Sequence, residues 1–556
     1  MALEKFTDVL GTKNAAHLLR RTTFGITKAD IDTFATKTPE EAFTLLTAAV
    51  ATPSAPIDAK TGASWLPKPD EEVNSEGGDL TQFVKSWWLH QMYSAGANMK
   101  ELMVFLMHTF YPTVESAVED ATALYYQNAL FRFYAYGNLK TLTKKVSVDN
   151  AMLLLLDGRL NEVDRPNENF ARELFELHTI GKGEQTGADN YTNYTEADIK
   201  MAARILSGWT NDPNFGTDTT NSNVDTETGI PLGILKGEGL YASRHDASND
   251  PPRKFTSAFD NTVIAHLDTD VVDGKATKEA AKEQVNLLVD MIFAKRATAE
   301  NFCRKIYRFF VYYDITTDAE TNVIQPLADT MVANSYEILP VVKELLTSKV
   351  FYDANNTETT DNTRSDIIKS PLELSLGGMK YFGIQPPSPS ADITKFYEFY
   401  GSLLNALSDQ GISLYEPYDV AGYDAYHQQP DYNRNWITVN TLAFRYDFCL
   451  KLGKNTLFDG ITIDFAKYVK DNVTAPETGR NIVQHFVDYL LPETITSTGE
   501  GNRFDYFLKI LLGDLSAENW TTEWNSYLST GMGDMVNSQL EDLIAALLQT
   551  PEYQLM

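Results

Sequence analysis

Apolar residues recur at three- and four-residue steps over most of the chain and only rarely at every second position. Residues 80–107 keep Phe83, Trp87, Leu89, His90 and Met92 in one stripe, the spacing of a helix that lays one face on a core. Residues 278–310 divide into KEAAKEQVNLLVDMIFAKR and TAENFCRKIYRFFVYY, which predicts two helices. Thr298 is the expected N-cap of the second, with Asn301 three residues on. SYEILPVVKELLTSKVFYD and SQLEDLIAALLQTPEYQLM echo each other as an apolar helix, a short polar break and an aromatic end. The echo occurs only twice, so it marks two similar helix-plus-tail units and not a solenoid.

Turn-forming composition places the connections at residues 211–233, 353–366, 384–392 and 497–503. Short β elements are expected near residues 435–440 or at the ends of the long loop 211–233, and no alternating series is long enough for a large sheet. The expected fold is therefore mainly α: a large multi-helix assembly with a single core, long polar loops and minor short β elements. A length of 556 residues admits two to four units. The expected division is a first helical part, residues 1–380, carrying the candidate polar site, and a second, residues 381–556, packed on it.

Charge narrows the partners. Asp plus Glu number 76 against 47 Lys plus Arg, a formal charge of −29, and such a field repels nucleic acid and anionic lipid. It suits divalent cations. Cys303 and Cys449, the only cysteines, sit in apolar helix-like runs and read as small buried hydrophobes, so no disulfide framework is expected. The first 21 residues lack a basic segment followed by an apolar one, and no run of about 18 apolar residues predicts a membrane span. Either the chain stays in the cytoplasm, or it leaves by a route without a signal peptide, or it has lost a leader.

The candidate site begins with a helix over residues 167–180 that stops at Gly181. At about 100° per residue, Asn169, Arg172, Glu173 and Glu176 share an arc of roughly 100°, while Phe170, Leu174, Leu177 and His178 face another way. A buried polar stripe of this kind needs partners. Glu173 and Glu176 can bind a metal or act as acid and base. The competing reading is an internal ion-pair network, Arg172 with Glu176 and Glu173 with Arg204 or another cation. His178 is expected to be a core histidine bonded to a backbone carbonyl. A second cluster, SRHDASNDPPRK, packs Arg244, His245, Asp246 and Lys254 into a proline-interrupted loop, either as a functional loop or as one pinned by a salt bridge. If that loop folds over the helix at Arg172, then His108, His245, Glu173 and Glu176 can converge as a His/carboxylate metal centre for zinc, manganese or iron, with Glu173, Glu176, His245, Asp246 and Arg172 as the candidate catalytic residues. In LYEPYDVAGY, Glu416 and Asp419 are expected to cap a helix or bond loop amides. Trp209 and Trp436 read as core aromatics, and His17, Arg20 and Arg21 as structural residues of a short amphipathic helix. No phosphate-binding glycine loop, Gly-x-Ser-x-Gly elbow, His-Glu-x-x-His, Cys-x-x-Cys or EF-hand loop is present.

Several separated stretches resemble the bacterial "domain of unknown function 1800" family, in family order: AAHLLRRTTFG, KELMVFLMHTFYPT, RPNENFARELFELHTIG continued by YTEADIKMAARILSGWT, SRHDASNDPPRKF, SPLEL, LYEPYDVAGY, NWITVNTLAFR and the closing LLQTPEYQLM. The resemblance implies a helical fold with no established reaction. It also implies frequent export to the cell envelope and a sulfatase-like, alkaline-phosphatase-related partner. The family often carries a Trp-His-Asn-His type of string in the second stretch; here Met107, His108, Thr109 and Phe110 stand there, so one histidine remains. Two functions follow as expectations: an envelope or surface assembly protein acting with the sulfatase-like partner, or a metal-assisted hydrolase or oxidoreductase using a His/carboxylate centre.

Overall fold

Helices form where the three- and four-residue apolar spacing runs, and capping side chains set their ends. The computed structural model describes residues 3–68, 77–354, 367–492, 495, 502–513 and 515–556. The stripe at residues 80–107 is two helices, Gly77–Ser94 and Lys100–Phe110, and residues 278–310 are two more, Lys278–Phe293 and Arg296–Phe310. In SPLEL, Ser370 and Glu373 form a capping box: the Ser370 amide donates to Glu373 Oε2 at 2.7 Å and the Glu373 amide to Ser370 Oγ at 3.4 Å.

One hydrophobic core runs from Leu3 to Tyr553. Within it the Gly77–Ser94 helix packs on Ile393–Asp409, and Gly11–Thr22 packs on Gly479–Leu490, so both chain parts share the core. Trp209 and Trp436 are buried in it, and Cys303 and Cys449 are buried free thiols. The strands are short. Trp209–Thr210 pairs antiparallel with Ile234–Leu235, closing the ends of the long polar loop, and Tyr241–Ala242 and Val271–Val272 flank Lys275–Thr277. No helix among the described residues is long and apolar enough to cross a membrane.

The two echoing tails meet similar partners. Residues after Ile338–Leu346 cross the start of the chain, with the Phe6 amide on Thr347 O at 2.9 Å and the Lys349 amide on Glu4 O at 2.8 Å. Residues after Asp534–Leu548 cross residues 367–369, with the Lys369 amide on Gln554 O at 2.8 Å and the Met556 amide on Ile367 O at 3.0 Å. Cationic side chains then tie carbonyls left free at such ends. Arg21 Nη1 donates to Val311 O at 3.0 Å, Arg20 Nη2 to Tyr489 O at 2.8 Å, and Lys369 Nζ to Tyr553 O at 2.7 Å. His17 Nε2 donates to Phe351 O at 2.9 Å, so this set is structural, as its amphipathic spacing suggests.

Three local expectations need correction. Thr298 is not an N-cap: the helix already begins at Arg296, and the Thr298 hydroxyl donates to Ile292 O of the preceding helix at 2.7 Å. Residues 435–440 form no strand; a 3₁₀ turn, Tyr432–Trp436, leads into the helix Val439–Gly453, capped by Thr438 and Thr441. The helix expected over 167–180 spans only Asn169–Glu176. Its last turn loosens, and Gly181, at φ +73°, donates its amide to Phe175 O at 2.9 Å. The connections expected at 353–366 and 497–503 lie mostly outside the described residues.

Candidate functional site

The Asn169–Glu176 helix turns its apolar side inward, with Phe170, Ala171, Leu174 and Phe175 buried, and leaves Arg172, Glu173 and Glu176 half-buried. The ion pairs are not those expected. Arg172 reaches Glu196 on the neighbouring helix at 2.9 Å, and Glu168 at 3.6 Å, instead of Glu176. Glu176 pairs with Lys182 and accepts the Tyr194 hydroxyl at 3.2 Å. Glu173 meets neither Arg204 nor any other side chain: among the described residues its carboxyl has no hydrogen-bond or ion-pair partner. Burial, then the charges of Glu176 and Asp419, push it up to about 7.

The SRHDASNDPPRK loop packs on the helix Glu196–Ile205. Arg204 draws it in, with Nε on Asp246 Oδ2 at 2.5 Å, Nη1 on Pro251 O at 2.9 Å and Nη2 on Ser248 O at 3.0 Å. Asp198 accepts the Thr256 amide at 2.7 Å. The fully buried Arg253 donates to Asp246 O at 2.9 Å, Gln284 Oε1 at 2.7 Å and Asn249 Oδ1 at 3.2 Å. His245 donates Nδ1–H to Ser207 O at 3.0 Å, which leaves Nε2 to accept from His266 Nε2 at 3.1 Å. Burial pushes both imidazoles down to about 4. Arg244 rests half-exposed against Asp164 at 3.1 Å, and Lys254 is exposed. The salt-bridge reading of this loop is the one its geometry supports.

His108, Glu173, Glu176 and His245 do not form one centre. His108 is sealed among rings, with centroids of Tyr415 at 5.1 Å, Trp88 at 5.4 Å and Tyr423 at 5.9 Å. Among the described residues neither ring nitrogen has a partner, and burial pushes the imidazole down to about 3. His245 is held by Ser207 and His266, away from both glutamates. Among the described residues no group of three or more His, Cys, Asp or Glu side chains is placed to share a metal ion. The physical reason is the loop: Arg204 and Asp198 bind it to their own helix and not across Arg172. His178 behaves as a core histidine, donating Nδ1–H to Phe110 O at 3.1 Å, with burial pushing it down to about 4. Glu416 accepts the Ser116 amide at 3.1 Å and its hydroxyl at 2.6 Å, tying the short helix Glu115–Val118, and Asp419 accepts the Ala421 amide at 2.7 Å.

Several open polar groups meet in a cleft elsewhere. A cleft of about 130 Å³ lies where the C-terminal ends of Lys100–Phe110 and Asn169–Glu176 meet the Arg296–Phe310 helix and residues 421–433. Asn301, Lys305 and Arg308 face it, as do Glu176, Glu373, His427 and Asn433. Asn301 Nδ2 donates to Thr179 O at 2.7 Å, and Lys305 Nζ to Leu177 O at 2.6 Å. Burial, then Arg308, pushes Lys305 down to about 8. Asn433 is 7% exposed, yet among the described residues neither of its amide atoms has a partner, and His427 Nδ1 is likewise unpaired. Sequence reasoning missed Lys305, Arg308, Asn433 and His427. The only signal for the first two is the polar row Asn301, Lys305, Arg308 at steps of four and three, which by default reads as a solvated helix face.

Neither the curated proteins nor the solved structures provide a match to the chain. The family model described as "Protein of unknown function (DUF1800)" matches residues 17–555, nearly the whole length, and the chain belongs to that family.

Proposed function

We propose that the chain is a binding or assembly protein of the cell envelope or surface that acts with a sulfatase-like partner, and not a catalyst. The envelope setting and the partner come from the resemblance of its motifs. One observation supports the non-catalytic role: the groups best suited to chemistry are spent on the scaffold. His178 and His245 are bound to carbonyls, His108 is enclosed by rings, Asp246 holds Arg204, and Glu416 holds Ser116. A catalytic constellation needs base, nucleophile or ligand within hydrogen-bond reach of one reacting atom. The test is capture of a co-encoded sulfatase-like protein by wild type and by a Glu173→Gln/Glu176→Gln variant. Equal capture is expected. No capture by wild type, or capture lost while the variant stays folded, overturns the proposal.

A second reading is favoured by Glu173. A carboxyl held up to about 7 beside Glu176 suits acid–base work, as in a metal-assisted hydrolase or oxidoreductase. Elemental analysis of natively purified protein tests the metal-assisted form, and substoichiometric metal sinks it.

A further inference from the structure

The cleft carries positive charge that the fold leaves unneutralised. Lys305 uses one N–H on Leu177 O, and an ammonium has three. Arg308 reaches Tyr313 O with Nε at 3.3 Å and lies 4.6 Å from the centroid of the Tyr432 ring, which leaves its terminal nitrogens free to donate. Among the described residues neither cation has a carboxylate within ion-pair distance. Such pairing is not scarce in this chain, whose acidic side chains outnumber the basic by 76 to 47.

The acids that share the cleft are already engaged. Glu176 pairs with Lys182 and accepts Tyr194, and Glu373 accepts the Ser370 amide, with burial holding its carboxyl above the ordinary range. The same cleft is lined by the Asn433 amide, almost fully buried and, among the described residues, unpaired at both atoms. A buried amide without partners and two half-buried cations without counter-charge each cost free energy unless something outside the chain completes them. Guanidinium, ammonium and amide N–H groups are donors that converge well on oxygen anions.

We infer that this cleft binds an oxyanion group, a carboxylate or a phosphate, between Lys305, Arg308 and Asn433. Its volume of about 130 Å³ is that of roughly four water molecules in the liquid, so the enclosed portion is a small headgroup. The inference goes beyond the assembly reading and does not rest on it, because the purified chain alone suffices for the test.

Isothermal titration calorimetry at fixed ionic strength, with sodium phosphate and sodium acetate as separate probes and chloride as the control, reads the binding. Saturable one-to-one binding of phosphate or acetate is expected, and the probe that saturates identifies the headgroup chemistry. Lys305→Met and Arg308→Met should each weaken it about tenfold or more, while Arg244→Met, on the remote loop, leaves it unchanged. If Lys305→Met does not fold, Arg308→Met and an anion-dependent rise of the wild-type Tm carry the test. No saturable binding of either probe, or binding indifferent to both cleft substitutions, overturns the inference.

Discussion

The SRHDASNDPPRK loop and the Lys305 cleft are both dense in charge, both gathered from distant sequence, and unlike in how their charged groups are met. In the loop cluster, Arg204 and Arg253 each have several acceptors and His245 is bonded at both nitrogens, although Arg253 Nε, His266 Nδ1 and Gln284 Nε2 stay unpaired among the described residues. In the cleft, two cations lack counter-charge and an amide lacks any partner. Polar density therefore does not distinguish scaffold from site in this molecule. The distinction lies in whether the cations meet counter-charge: Arg204 does, in Asp246, and Lys305 and Arg308 do not among the described residues.

The loop should break first. Arg204→Met strips the counter-charge from Asp246, whose carboxyl the Arg204 guanidinium holds below its ordinary range, and frees two carbonyls. Breaking a largely buried pair from one side costs about 3–5 kcal/mol. Chemical denaturation should show a loss of that size, with the loop the first segment to gain amide exchange. A loss under about 1 kcal/mol would remove the claim that this cluster is scaffold.

Glu173 stands between the two regions, half-buried and unpaired at the edge of the cleft's helix. Its folded value, about 7, lies above that of an unfolded glutamate. Between those two values the folded chain holds a proton that the unfolded chain has released, so stability falls as pH rises through the window and levels off above about 7. Glu173→Gln should remove that slope. Its gain over wild type should be on the order of 2 kcal/mol at pH 8 and vanish near pH 4. Parallel pH–stability curves for the two proteins would mean that the carboxyl is solvated.

His108 extends the contrast to a group that, among the described residues, is unpaired and enclosed by rings. Its neutral imidazole has lost water at both nitrogens. His108→Leu removes that cost, of about 1–3 kcal/mol, and gives up edge contacts worth about 0.5–1.5 kcal/mol. A net gain of about 1 kcal/mol in thermal or chemical denaturation is expected. A loss of several kcal/mol would mean that the ring has a partner and belongs with the candidate centre after all.

The helical frame was legible because 3.6-residue periodicity is local: the stripes at 80–107 and 278–310 each became a helix pair. Boundaries were less so. The Thr438–Thr441 capping box was readable and overlooked, and Thr298 failed as a cap because its hydroxyl answers to Ile292 across a helix junction. For the site, the stripe of Arg172, Glu173 and Glu176 was legible, but its partners were not. Lys182 arrives through the turn at Gly181, and Glu196 from the next helix. Lys305 meets Leu177 across 128 residues, and only tertiary packing decides that contact. Sequence also favoured His245 because its proline-interrupted loop is dense in charge, whereas the bonds of His245 and Asp246 run to Ser207, His266 and Arg204.

The smallest expected effect makes the sharpest test of the comparison, since it asks for two arginines to behave oppositely. Arg308→Met gives up a long hydrogen bond to Tyr313 O and the contact with the Tyr432 ring, together worth about 1 kcal/mol. It also relieves a cation whose burial already pushes it below its ordinary range, a gain of similar size. In buffer free of phosphate and carboxylates, the net change in stability should therefore stay within about 0.5 kcal/mol of zero. Adding the anion should then stabilise wild type and not the variant, because a ligand raises stability only through the state that binds it. Arg204→Met should show the reverse: a large loss without the anion and an unchanged increment on adding it. If Arg308→Met instead costs as much as Arg204→Met in plain buffer, the cleft arginine is part of the scaffold, and the division between the two regions fails.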